Sequence, residues 1–279
     1  MLVDKPAGPT SHDVVQRVRR VLATRAVGHT GTLDPFATGL LVVLVGRATR
    51  LARFVEAEAK QYLATARLGV ATETDDVTGA PLGPASEVGQ LDRGALRDAL
   101  AAFVGPQTQR PPRYSAKHVD GVRSYRLARR GQGVDPAEVG VTVYWAELVE
   151  WSAPEVTFRV TVSSGTYVRA IARDLGQRLG VGGHLTALRR EAIGTLSVAD
   201  AVPLDQLTPA ALLPVRAVLR HLPEVELDER AHEAVRHGRA VPAAEGPEGH
   251  VALLHAGEVV AVAQGAGGWL RPAVVLASA

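Results

Sequence analysis

The stretch Val27-Gly28-His29-Thr30-Gly31-Thr32-Leu33-Asp34-Pro35-Phe36-Ala37-Thr38-Gly39 runs straight into the apolar segment Leu40-Leu41-Val42-Val43-Leu44-Val45. Glycines on both sides of Asp34 allow a tight loop and a close approach of backbone to a ligand. Pro35 keeps Asp34 out of the helical region and holds it extended. Together they fix one acid at the mouth of a buried strand, with His29 five residues upstream. On these residues alone, a turn aspartate between two elements explains the pattern as well as a reactive carboxylate does.

Outward from this loop, periodicity sets the elements. Leu2 to Lys5 reads as a short strand, and Pro6 to Ser11 as a turn leading into a helix cap. The helix that follows buries Val14, Val15, Val18, Val21 and Leu22 and turns Arg17, Arg19 and Arg20 away. Arg47, Arg50 and Arg53 lie on a short helix ending near Glu58, and Lys60 to Leu68 alternates as a strand. Tyr62 on that strand suits a core site on chemistry alone. Thr72 to Gly79 is an acidic turn-rich loop without the alternating ligands of a calcium loop, and reads as structural. A helix spans Leu91 to Val104 with Asp92 as cap and Leu96, Leu100 and Phe103 on one side. Val141–Trp151 and Val156–Ser163 form an antiparallel pair, followed by a helix that buries Val168, Ile171, Ala172, Leu175 and Leu179. Arg169 at the start of that helix opposes the helix dipole and so needs a carboxylate partner. Three short strands between Val251 and Leu276 close the chain.

Composition narrows the chemistry. The 279 residues contain no cysteine, which removes disulfides, thiolate metal sites and a cysteine nucleophile. No run of 18 apolar residues and no charged-then-apolar leader is present, so a cytoplasmic location is expected. No Gly-rich dinucleotide or phosphate loop appears, and no cofactor is expected. His232 and His237, like His250 and His255, lie five apart without cysteines or a nearby acid trio, so no metal site is expected. Net charge is only +2, yet Gln107 to Arg130 carries Arg110, Arg113, Lys117, Arg123, Arg126, Arg129 and Arg130 against Asp120 alone. Tyr114 and Tyr125 are interleaved with these cations, a mixture suited to folded nucleic acid. Of the 31 basic residues only Lys5, Lys60 and Lys117 are lysine. Lysine is kept where a compact ammonium is wanted.

The central stretch, G-H-T-G-T-L-D-P-x-A-T-G-L-L, resembles the catalytic motif of the TruB-type pseudouridine synthases. Four further strings resemble that family: Asp4 to Ser11 (D-K-P-x-G-x-T-S), Lys60 to Tyr62, Ser164 to Gly176 (S-G-T-Y-V-R-x-I-x-x-D-L-G) and Gly182 to Arg190. The segment Pro111 to Gly131 resembles the family segment that lies near the RNA. The resemblance covers about Leu2 to Gly194; it begins almost at Met1, which implies a short first strand or a start assigned late.

It implies an α+β pseudouridine synthase fold, with a mixed, mainly antiparallel sheet flanked by helices, over residues 1–208. A small β-rich PUA-like domain is implied for 209–279. The implied activity is isomerisation of a uridine in the T-loop of tRNA, the tRNA T-stem-loop being the partner, with no cofactor, no membrane, no obligate protein partner and a monomeric chain. Asp34 is the implied nucleophile or base, Arg169 its ion-pair partner, and Tyr62 the aromatic that stacks on the base. His29 fills the gap left by the flipped nucleotide, Tyr167 lines the pocket, Leu188 packs on the other face of the base, and Lys5 and Lys60 bind substrate. The competing readings are an RNA-folding module with incidental catalysis, and a glycosidic hydrolase. The hydrolase needs a second paired carboxylate that the motif does not supply.

Overall fold

In the computed structural model, residues 1–89, 91–114, 136–243 and 246–276 are described, together with the backbone of 118–119 and 122–123. In chain order, the fold begins with β1 (Leu2–Lys5), α1 (Ser11–Val21), β2 (Val27–Thr30), β3 (Thr38–Val45), α2 (Ala52–Glu56) and β4 (Lys60–Leu68). It continues with α3 (Arg93–Ala101), β5 (Gly105–Gln109), the two-residue pair β6 (His118–Val119) and β7 (Val122–Arg123), β8 (Val139–Ser152), β9 (Glu155–Val162) and α4 (Val168–Arg178). Then come β10 (Gly183–Ile193), β11 (Leu196–Ser197) and β12 (Val202–Pro203). The C-terminal region holds β13 (Glu224–Glu226), α5 (Glu229–Arg236), β14 (Val241–Pro242), β15 (Gly249–His255), β16 (Glu258–Ala266) and β17 (Trp269–Val275).

Two sheets carry the fold. The larger runs β12-β1-β3-β10-β4-β9-β8-β5, with β2 beside β3 and β11 beside β10. Its pairings are antiparallel except β1–β12 and β3–β10. The expected α+β class with a mixed, mainly antiparallel sheet is therefore present. The smaller sheet runs β13-β15-β16-β17-β14.

Local rules account for the elements that matter. Thr10 caps α1 through a reciprocal capping box with Asp13, satisfying two otherwise orphaned amides. Asp92 caps α3 by accepting from the Ala95 amide at 2.7 Å. The alternation in β4 buries Lys60, Tyr62, Ala64, Ala66 and Leu68 on one face. Helices α3 and α4 cover one region of the large sheet, burying Leu96, Leu100, Ile171 and Leu175 against Phe158 and Val160. Helix α1 covers another, with Val14, Val15 and Val18 against Val3, Leu41 and Val43.

The arginine-bearing segment after β3 is a 3-10 turn, Gly46–Leu51, followed by α2. It joins the two sheets. Leu40, Val42, Leu51 and Phe54 share one apolar cluster with Val218, Leu254, Val262 and Val274 of the C-terminal region. Arg47 and Arg50 donate to the Leu276 and Val275 carbonyls at 2.9 and 2.7 Å, and the Phe54 ring meets His250 edge-on at 4.9 Å. Each fully buried Leu or Val at such a seam contributes about 1.5–3 kcal/mol. Beyond the three expected C-terminal strands, the fold adds β13, β14 and α5, which are too short for periodicity to reveal.

Gly39, the second residue of β3, has φ at +98°, and a Cβ there would sit on the Arg190 backbone. Gly39→Ala should therefore lower stability by at least about 1–3 kcal/mol, the range for strained backbone alone, as read by urea denaturation.

Candidate active site

The Asp34 loop links β2 to β3 and is held almost wholly through its backbone. Ser11, at the start of α1, accepts from the Leu33 amide at 2.9 Å and donates to the Leu33 carbonyl at 3.1 Å. The Gly8 amide donates to Pro35 O at 2.8 Å. Lys5 Nζ donates to the carbonyls of Pro6, Pro35 and Ala37 at 2.8, 3.3 and 2.7 Å. From the far side, Arg190 donates to Leu40 O at 2.7 Å and to Gly31 O at 3.0 Å. Loop carbonyls that would otherwise be buried unpaired are thus aimed at cations or hydroxyls.

Asp34 itself is gripped by Arg169. Arg169 Nε lies 3.0 Å from Oδ2 and Nη2 lies 3.3 Å from Oδ1. The same guanidinium reaches Asp76 Oδ2 at 3.2 Å, Thr74 O at 2.8 Å and Tyr114 O at 2.9 Å. Asp76 Oδ1 in turn accepts from Thr74 Oγ1, Thr78 N and Thr78 Oγ1 at 2.7, 2.9 and 2.6 Å. The acidic loop is structural, as expected, and its task is to anchor the arginine that aims Asp34. Asp75 does the same for the next turn of α4, where it pairs with Arg173 at 2.9 Å.

Burial separates the two carboxylates. The Asp34 side chain keeps 35% of its surface, while Asp76 keeps 5% and Arg169 6%. Burial pushes the Asp34 carboxyl above its ordinary range; Arg169 pulls it down, and the charge of Asp76 adds to the rise. The ionised form is therefore held at a cost to the fold, which suits a carboxylate kept for chemistry.

Asp34 opens into a cleft of about 360 Å³, a size suited to a small planar group. Its walls include His29, Lys60, Tyr62, Tyr167, Arg169, Leu188 and Arg190. Tyr62 pairs with Arg190 and Ala64 with Leu188 in the β4–β10 ladder. Tyr62 and Leu188 are thus diagonal neighbours on one face, a separation of roughly 7–8 Å between backbones, which admits one flat ring. Gln109 fixes Tyr167 at the head of α4 by accepting from its amide at 2.8 Å and donating to its carbonyl at 3.1 Å. His29 is half-buried, its Nδ1 has no hydrogen-bond partner, and burial with the nearby Arg190 charge lowers its pKa, leaving a neutral ring.

Seven of the eight expected site residues thus line the cleft: Asp34, Arg169, Tyr62, His29, Tyr167, Leu188 and Lys60. The two lysines spend their ammoniums on the backbone. Lys5 is fully buried beneath the loop and spends its ammonium on three carbonyls, so it positions Asp34 and has no surface to offer substrate. Lys60 lines the cleft, but its ammonium is taken by Glu56 O and Glu58 O, both at 2.7 Å. Desolvation brings both ammoniums down to about 8. Sequence reading missed Ser11, Asp76, Gln109 and Arg190 as supporting residues. Arg190 alone had a visible signal, a charged residue two places beyond Leu188 at the end of a quoted motif. Of the basic segment, Arg110 and Arg113 are described, whereas the side chains of 115–135, including Lys117, lie outside the described residues.

The chain that builds this cleft is similar to proteins of a known family. Residues 19–168 match the model of the TruB family pseudouridylate synthase N-terminal domain, and residues 169–222 match the tRNA pseudouridylate synthase B C-terminal domain. The chain belongs to the TruB family. Among its relatives is tRNA pseudouridine synthase B of Thermobifida fusca, 44% identical over 288 residues that cover 99% of this chain and 98% of the relative. The enzyme of the same name from Deinococcus radiodurans is 40% identical over 300 residues, covering 96% of each. Among solved structures, the chain superposes on one from a Cbf5-Nop10-Gar1 complex with a TM-score of 0.74 and 27% identity, covering 98% of this chain and 83% of that one. A chain from an H/ACA RNP bound to a substrate RNA containing 2′-deoxyuridine gives a TM-score of 0.75 at 25% identity, over 99% and 84%. The TruB motifs quoted from the sequence fall on the loop, strand and helix starts that build the cleft.

Two variants separate positioning from chemistry. A group whose folded pKa is raised gives stability only while it holds its proton, and that stability is lost as pH rises through the folded value. Asp34→Asn should therefore melt at or above the wild-type temperature at pH 7.5, as read by calorimetry. Lys5→Met should lose about 1–3 kcal/mol by leaving loop carbonyls unpaired. In kinetics it should lower kcat with KM for RNA unchanged, the opposite of what a substrate-binding lysine would give.

Proposed function

We propose that this TruB-family enzyme isomerises a uridine in the T-loop of tRNA to pseudouridine, with Asp34 as the reacting carboxylate. The observation that carries the reading is a half-open aspartate, held on both oxygens by a buried arginine, at the end of a slot bounded by Tyr62 and Leu188. The relatives named tRNA pseudouridine synthase B, similar over nearly the full chain, support tRNA as substrate.

The reaction breaks N1–C1′, turns the base over and joins C5 to C1′. It consumes no redox equivalent and no group donor. It needs a nucleophile or base within about 3 Å of the ribose–base junction, in a site shielded from water. Asp34 fills that role by adding to C6, attacking C1′ or removing a C2′ proton. Arg169 keeps the carboxylate aimed through charge-assisted hydrogen bonds. Tyr62 stacks on one face of the base with its hydroxyl available for the C5 proton, and Leu188 closes the other face. Tyr167 lines the slot. Extruding the base costs a few kcal/mol, and neutral His29, with an unpartnered ring nitrogen, takes the vacated place. Lys5 and Lys60 act as positioning residues.

We read residues 1–208 as the catalytic domain and 209–279 as a PUA-like domain. The chain acts as a cytoplasmic monomer without an obligate protein partner. The second sheet starting at Glu224 supports the division, and among the described residues no helix is long and apolar enough to cross a membrane. A glycosidic hydrolase is disfavoured because Asp76, the acid nearest in role, is sealed by Arg169, Thr74 and Thr78.

The test is tritium release from tRNA transcript labelled with [5-³H]uridine, without added cofactor. Wild type should release tritium, and Asp34→Asn should fall below about one thousandth of that rate while still binding the transcript. No release from wild type, with tight binding retained, would replace catalysis by RNA folding as the main activity.

A further inference from the structure

Folding pairs the C-terminal histidines differently from their order in the sequence. His232 lies on α5, three residues after Glu229, and His255 ends β15. Their rings stack with centroids 4.0 Å apart and planes 20° from parallel, so one ring must turn about its Cβ–Cγ bond before both can direct a nitrogen at a single ion. Glu229 Oε2 is 3.4 Å from His255 Nε2, and one ligating atom from each of the three residues lies within 4.8 Å of the other two. The acid that the sequence spacing lacked is supplied by the preceding turn of the helix.

Hydrogen-bond roles sharpen the picture. His255 Nδ1 is 3.2 Å from the Leu227 carbonyl, which only accepts, so Nδ1 carries a proton and Nε2 is the ring atom left to meet Glu229. Nε2 faces a carboxylate oxygen 3.4 Å away, a separation that a shared metal ion also gives. Bonds of about 2.0–2.1 Å to a tetrahedral ion place neighbouring donors a little over 3 Å apart, close to the spacing of Glu229 and His255. Ligating histidines are usually tied to a backbone carbonyl or carboxylate through the other ring nitrogen, as His255 is. The backbone beneath is fixed as well, because the Leu227 amide donates to Leu254 O at 2.8 Å.

We propose that Glu229, His232 and His255 bind a Zn²⁺ ion, with water completing its shell. Two nitrogens and one oxygen, with no sulfur, suit this ion and disfavour magnesium or calcium, which take oxygen ligands. Glu229 is exposed and gives the ion a path from solvent, whereas none of the three residues lines the catalytic cleft. The ion fastens the first turn of α5 to the end of β15 and leaves the chemistry at Asp34 untouched.

Isothermal titration of tag-free, chelator-treated full-length protein with zinc chloride at neutral pH tests the site. One equivalent should bind in the micromolar range or tighter. His232→Ala, His255→Ala and Glu229→Gln should each weaken binding by at least about tenfold. His237→Ala, whose ring pairs instead with Glu233 at 3.0 Å, should leave it unchanged. Glu229 is 87% exposed, so its amide variant isolates ligation from folding. Absence of binding in wild type, or equal affinity in all four variants, would overturn the site.

Discussion

The structure depends on one guanidinium with no donor to spare. Arginine offers five N–H groups in a rigid plane. In Arg169 the Nε and one Nη2 hydrogen go to Asp34, the two Nη1 hydrogens to Thr74 O and Asp76, and the last to Tyr114 O. This saturation explains how a cation tolerates burial at the unfavourable end of a helix dipole. Two carboxylates and two carbonyls replace its water, and the plane of the fork sets the plane of the Asp34 carboxylate. Arg169 therefore has nothing left for substrate. Its whole contribution lies in where it holds Asp34.

The loop that carries Asp34 is built on the same logic with a different cation. Three carbonyls converge on Lys5 from Pro6, Pro35 and Ala37. A tetrahedral ammonium meets converging acceptors that a planar fork cannot. Lys60 does the same for Glu56 and Glu58. In a chain whose other cations are almost all arginine, lysine marks two places where backbone geometry selects the head group.

Much of this was legible in the sequence because it is local. The cap that opens the first helix, the alternation of Lys60 to Leu68, the Asp92 cap and the apolar face of the Val168 helix each follow from neighbours within a turn or two. The need of Arg169 for a carboxylate also followed from its position. The share taken by Asp76 did not, since the two are 93 residues apart and nothing in periodicity couples them. For the same reason Lys5 looked like a substrate contact, although folding seals it beneath Pro35. Strand β10 was quoted as a motif without an assigned element, yet it lies between β3 and β4 and brings Leu188 and Arg190 to the cleft. The histidines misled by order. Position 232 belongs with 255, across the turn from helix to sheet, and sequence distance gives no hint of it.

The seam between the two sheets carries a mechanical consequence. Phe54 and Leu51 are buried in a cluster that also holds Val218, Leu254 and Val262, and Arg47 and Arg50 hold the carbonyls at the end of β17. An interface that is apolar and stitched at its rim resists hinge motion. The enzyme therefore meets its RNA as a stiff template, so the work of fitting falls on the nucleic acid.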